Sequence, residues 1–115
     1  MAKKDLLKER IVYKPFEYQE AADYWLKQHQ AHWLHTEVPM MSDITDWNSN
    51  LNETEKNIIG SILKGFAQTE TVVNDYWSGL VTKWFRKPEV IMMATTFGAF
   101  ETIHAEAYSL LNETL

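Results

Sequence analysis

Hydrophobic positions recur at helical intervals in three stretches of the chain, separated by segments rich in Pro, Ser, Asp and Asn. From about residue 17 to 35, Tyr18, Ala22, Trp25, His29 and Trp33 follow at steps of 4, 3, 4 and 4, which places them on one face of a helix. The next segment, "EVPMMSDITDWNSN", contains Pro39 and a cluster of Ser, Asp and Asn, and predicts a loop. A second helix opens at "LNETEKNIIG". Asn52 stands at its N-cap, Glu55 occupies the capping-box position, and Leu51 can staple onto the first turn. Its stripe runs Ile59, Ile62, Phe66, Glu70, Val73 and Trp77. Gly60 and Gly65 each lower helix propensity by roughly 1 kcal/mol relative to Ala, so close packing is expected where they fall. "KWFRKP" ends the pattern. Pro88 suits the first turn of a third helix, and Glu89 beside it complements the positive helix end. This helix carries the stripe Val90, Ala94, Phe97, Glu101, His104, Tyr108, Leu111 and Leu115. A second row follows Met93, Phe100, Ile103, Ala107 and Leu110. A helix apolar on two sides is expected to be central. Residues 1–16 are charged and irregular, and the alternation in "RIVYKPF" with Pro15 predicts an extended lead-in. The pattern as a whole predicts an all-α single domain over 1–115 with about three main helices.

Composition narrows the function classes. A chain of 115 residues with 13% aromatics is expected to be one globular domain with a modest core. Sixteen acids against 11 bases give a formal charge of −5, and no basic stripe follows the opening "MAKK", which argues against a nucleic-acid partner. With no cysteine, neither a disulfide nor a thiolate metal site is available. No apolar run of signal-peptide or membrane-spanning length occurs, so a cytoplasmic protein with no membrane partner is the default expectation.

The chemistry lies in the polar members of the apolar stripes. Glu70, Glu101 and His104 all fall on sides predicted to be buried, and no Lys or Arg shares those stripes. A buried carboxylate must be protonated, ion-paired or bound to a metal. Glu101 and His104 are i and i+3, so both leave one helix face within a turn. Glu-x-x-His pairs, joined by single Glu residues from neighbouring helices, are the units of di-metal carboxylate sites in helical bundles. Carboxylate with imidazole suits iron or manganese. Tyr108, one turn beyond His104, is near enough to be oxidised by such a centre. Plainer readings stand beside this one. A lone Glu-x-x-His is common on helices, His104 and Tyr108 can be hydrogen-bonded core residues, Glu101 can reach solvent, and Trp25, Trp33 and Trp77 can be core aromatics. A hydrolase triad lacks a Ser on the same face. The series His29, His32 and His35 is better read as solvated, because i+6 swings around the helix.

Several segments, in order, resemble class I ribonucleotide reductase small subunits. "FETIHAEAY" is similar to the family helix bearing a metal-ligand Glu, a metal-ligand His and the radical tyrosine. "AHWLHTEVPMMSDITDW" resembles the segment with the family's radical-transfer tryptophan, and "LNETEKNIIGSILKGFAQTE" resembles the helix ending at the first metal ligand. Glu70 precedes Glu101 by 31 positions, as in the family pattern. The likeness runs from about residue 10 to the C-terminus. It implies a ferritin-like helical bundle in which Glu70, Glu101 and His104 are metal ligands. Trp33 would carry radical transfer, and Tyr108 would hold the radical or stand beside an oxidised metal pair that holds it. It further implies a di-iron, di-manganese or mixed manganese–iron centre. The oxidising equivalent would pass to a large catalytic subunit that reduces ribonucleotides to deoxyribonucleotides.

Two departures shape the expectations. Position 70 is Glu where tyrosyl-radical di-iron members usually carry Asp, which leaves the choice of metals open. The family's second Glu-x-x-His helix, its remaining carboxylates, its later radical-transfer aromatics and its docking tail have no counterpart in these 115 residues. The chain then supplies half of a di-metal ligand set. A complementary polypeptide, a second copy related by a two-fold axis, or a broken longer protein would each account for this, and an obligate oligomer is expected. The competing function is a homodimeric ferritin-like protein that binds or oxidises metal.

Overall fold

The computed structural model describes residues 3–115, so the first two residues of the expected lead-in lie outside the described residues. Helices dominate. They are α1 (Gln19–Gln30), a 3-10 turn (His35–Glu37), α2 (Met41–Ser49), α3 (Glu53–Asp75), a π-helical segment (Tyr76–Val81), α4 (Thr82–Trp84) and α5 (Pro88–Thr114). The all-α class expected from the pattern is the class observed. These elements cluster into two compact units.

One unit joins the residues up to His32 with Val73–Phe100. Its core is Ala21, Val81, Val90 and Ala94, packed by Leu6, Trp77, Phe85 and Met93. The edge of the Trp77 indole meets the Phe97 ring at 4.9 Å. Ahead of α1 the chain turns and bends rather than pairing, and an ionic clamp holds it. Arg10 grips the fully buried carboxylate of Glu89 through Nη2 and through Nη1 at 3.2 Å. Glu89 Oε1 also accepts the backbone N–H groups of Glu17 at 2.9 Å and Tyr18 at 3.1 Å, immediately before α1. Lys87 Nζ, itself nearly buried, pairs with Glu17 at 2.6 Å. Glu89 thus anchors the lead-in and starts α1, a larger task than complementing its own helix end. Burial alone would raise its pKa. The Arg10 hydrogen bonds and the N–H donors outweigh burial and hold it down to about 2.

The other unit joins Trp33–Val72 with Glu101–Leu115. At the start of α3, Asn52 Oδ1 accepts the Glu55 N–H at 2.9 Å and Glu55 Oε2 accepts the Asn52 N–H at 2.8 Å. This is the reciprocal capping box expected from the sequence. Gly60 lies beneath the Trp47 ring of α2, 3.9 Å from where a Cβ would sit, so one of the two helix glycines has a close neighbour.

Two expectations about elements are corrected. The stretch read as a loop contains α2. Its Ser, Asp and Asn residues form a solvent face and its C-terminal cap, where Asn50 Nδ2 donates to Asp46 Oδ1 at 2.6 Å, while Ile44 and Trp47 turn inward. The first helix ends at Gln30 rather than near residue 35, so Trp33 follows the helix instead of continuing its face. The third helix begins at Pro88, as expected.

Candidate metal centre

The ligand candidates come from two helices of the second unit. Glu70 is in α3 and Glu101 and His104 are in α5. The stripe periodicity that suggested them is obeyed, because α3 and α5 are helical throughout the relevant turns. His104 Nδ1 lies 3.1 Å from Glu101 Oε2 and 3.7 Å from Glu70 Oε2. One ligand atom from each of the three falls within 4.8 Å of the others, and this is the one such His/Asp/Glu cluster among the described residues. The Glu70 and Glu101 side chains keep 17% and 16% of their surface exposed, against 38% for His104. The acids therefore face each other and the imidazole rather than bulk water.

The electrostatics follow from that geometry. Among the described residues, the ion pairs of Glu70 and Glu101 are with His104 alone. Glu70 is pushed up to about 7, first by its hydrogen bond to the Glu101 carboxylate, then by burial and by the neighbouring negative charge; His104 pulls weakly the other way. Two acids held this closely favour one positive charge between them. Two carboxylate oxygens and an imidazole nitrogen form a donor set that fits iron or manganese.

The aromatic candidates reach the same unit by different routes. The Trp33 indole stacks on the His104 imidazole, 5.7 Å between centroids and 20° between planes. It is placed by the turn that follows the end of α1. In that turn Leu34 donates its N–H to Glu37 Oε2 at 2.5 Å, and Glu37 returns its N–H to the Leu34 carbonyl at 2.9 Å. Glu37 had drawn no attention in the sequence, although an acid three residues beyond Leu34 is the signal of such a reciprocal turn. The Tyr108 ring sits 5.3 Å from that of Phe66 on α3. His29 and His32 instead flank Phe100 in the first unit, at 6.0 and 5.3 Å, outside any ligand cluster.

An all-helical chain in which two carboxylates and one imidazole converge from neighbouring helices defines a class, the helical carboxylate–histidine proteins. Comparison with known proteins narrows the class. Residues 10–115 match the family model for the ribonucleotide reductase small chain, and the chain belongs to that family. It is similar to the probable ribonucleoside-diphosphate reductase small subunit of Invertebrate iridescent virus 6, with 40% identity over 110 residues, covering 96% of this chain and 31% of the relative. The counterpart in Invertebrate iridescent virus 3 is 39% identical, covering 96% and 29%. The small chain 1 of Saccharomyces cerevisiae is 32% identical, covering 93% and 27%. The chain spans roughly a third or less of these relatives' lengths. No helix among the described residues is long and apolar enough to cross a membrane.

Proposed function

We propose that this chain contributes Glu70, Glu101 and His104 to the di-metal carboxylate centre of a ribonucleoside-diphosphate reductase small subunit. The observation that carries the reading is the convergence of these three donors within 4.8 Å, with no Lys or Arg ion-paired to either acid among the described residues. When bound, an iron, manganese or mixed pair supplies one-electron oxidising power to the protein. The chain's own residues fix where that power can act. Glu101 and His104, three apart on one helix, present a rigid pair of donors, and Glu70 closes the set from the facing helix. Tyr108 is the oxidisable phenol one turn beyond His104, and its contact with Phe66 keeps the ring oriented. Trp33, stacked on His104, offers a path for an electron between the ligand and the protein surface, where it keeps 37% exposure. A large catalytic subunit that reduces ribonucleotides is the partner this arrangement would serve, in the cytoplasm.

Glu at position 70 leaves iron and manganese both eligible. The competing reading, a ferritin-like homodimer that binds or oxidises metal, shares the ligands and lacks the large subunit. Mn(II) and Fe(II) binding measured by plasma mass spectrometry on the desalted protein tests the shared part. Metal retained by the wild type and lost at least tenfold in Glu101→Ala and His104→Ala is expected. Retention in both variants would overturn the ligand assignment. A tyrosyl or mixed-valent paramagnetic signal, together with reductase activity that appears only with a large subunit, would select the reductase.

A further inference from the structure

A second cluster of charged groups lies in the first unit, around a cavity of about 500 Å³ formed by the lead-in and the residue before α5. Lys3, Lys4, Lys8, Arg10 and Lys87 line it, and the acids beside them are already engaged. Arg10 is matched by Glu89, Lys87 by Glu17 at 2.6 Å, and Glu9 by Arg86 at 4.0 Å. That leaves Lys3, Lys4 and Lys8 against the single carboxylate of Asp5, which also accepts the Leu7 N–H at 3.0 Å. None of these three lysines is ion-paired among the described residues. Two positive charges are thus in local excess on a chain whose net charge is −5. The cavity wall is fixed in place. Arg10 donates its backbone N–H to the Arg86 carbonyl at 3.3 Å, and Lys8 closes a turn on the Asp5 carbonyl at 3.2 Å. Lys87 is 2% exposed. Its ammonium carries three donors, yet its ion-pair acceptor is one Glu17 carboxylate that it shares with Arg10. A lysine so deeply buried is rare unless its charge is fully answered.

We propose that this cavity binds a phosphate dianion carried on a small organic monoester. A phosphate group brings close to two negative charges and three strong acceptor oxygens, which match the excess charge and the spare donors of Lys87. Lysine binds phosphate as a point charge, so three lysines on the lead-in can gather around one group without a fork geometry. A cavity of this size holds a small organic molecule rather than a bare ion. Phe16, also on its wall, offers an apolar surface to the body of the ester. The site shares no residue with the metal ligands and does not depend on their assignment.

Isothermal titration calorimetry of the purified protein with phenyl phosphate and with inorganic phosphate, at constant ionic strength in chloride, tests this. One saturable site with a Kd below about 1 mM is expected. The double variant Lys4→Gln with Lys8→Gln changes exposed positions, so helicity holds while affinity falls at least tenfold. Lys83→Gln removes the same kind of charge from α4, away from the cavity lining, and is expected to leave affinity unchanged. Phenyl phosphate bound more tightly than inorganic phosphate would assign the cavity to a monoester, and equal affinity would assign it to free phosphate. No saturable binding of either probe would overturn the proposal. Binding that the double variant retains, or that Lys83→Gln weakens as much, would reduce it to net charge and overturn the site.

Discussion

The indole of Trp33 lies nearly parallel to the imidazole of His104, 5.7 Å away and tilted by 20°. Such a pair contributes about 1 kcal/mol beyond its buried area. It also couples a fluorophore to a proposed metal ligand. Co(II) bound at His104 is expected to quench a distinct part of the tryptophan emission. Trp33→Phe should abolish that part while leaving Co(II) per chain unchanged, because Phe preserves the stacking surface. Trp33→Ala should lower urea stability by more than the roughly 1 kcal/mol of the stack, because the buried indole area is lost with it. Quenching undiminished in Trp33→Phe would mean that another of the five tryptophans reports on the metal.

The Arg10–Glu89 clamp makes a pH prediction with a definite sign. The folded pKa of Glu89 is about 2 against an ordinary 4.5. The unfolded chain therefore binds the proton first as pH falls. The stabilisation is fully present above pH 4.5 and is lost as pH drops toward 2. Glu17, held below its ordinary value first by its Lys87 hydrogen bond and burial-opposed, acts in the same direction. Removing one partner of a buried ion pair costs about 3 to 5 kcal/mol. Glu89→Gln should lower stability by about that amount at pH 7 and flatten the acid limb of the stability curve measured by urea melts between pH 2 and 5. An unchanged acid limb would show that other carboxylates carry it.

How much of this could be read in the chain itself depended on whether the cause was local. The Asn52–Glu55 box and the Pro88 start are short-range chemistry, and both are where the sequence put them. Glu70, Glu101 and His104 were visible because an acid on a greasy stripe violates the helical pattern over many turns. Trp33 was read as a continuation of the α1 face, whereas α1 ends at Gln30 and the chain places the indole through the Leu34–Glu37 turn. α2 was missed because its 9 residues turn only Ile44 and Trp47 inward, too few to establish a period. The Glu89 clamp had no local signal, because Arg10 lies 79 positions away.

The close approach at Gly98 provides a further prediction and its internal control. A Cβ there would fall 2.0 Å from Ser78 Oγ and 3.3 Å from Ser78 Cβ, while Asn74 Nδ2 donates to the Gly98 carbonyl at 2.6 Å and holds the two segments together. Ser78 lies in the π-helical segment, so the glycine lets that wider turn seat against α5. Gly98→Ala gains about 1 kcal/mol of helix propensity but overpacks a contact where such insertions cost about 1 to 3 kcal/mol. Overpacking should win, because Asn74 prevents the segments from sliding apart. Ser78→Ala removes the atom at 2.0 Å and leaves Ser78 Cβ at 3.3 Å, which a few tenths of an ångström relieve, and Asn74 Nδ2 at an ordinary 3.5 Å. The double variant Gly98→Ala with Ser78→Ala should therefore recover most of the loss in a urea-melt mutant cycle, with a coupling of about 1 kcal/mol. Strict additivity of the two substitutions would mean that the clash at Gly98 lies with a partner other than Ser78.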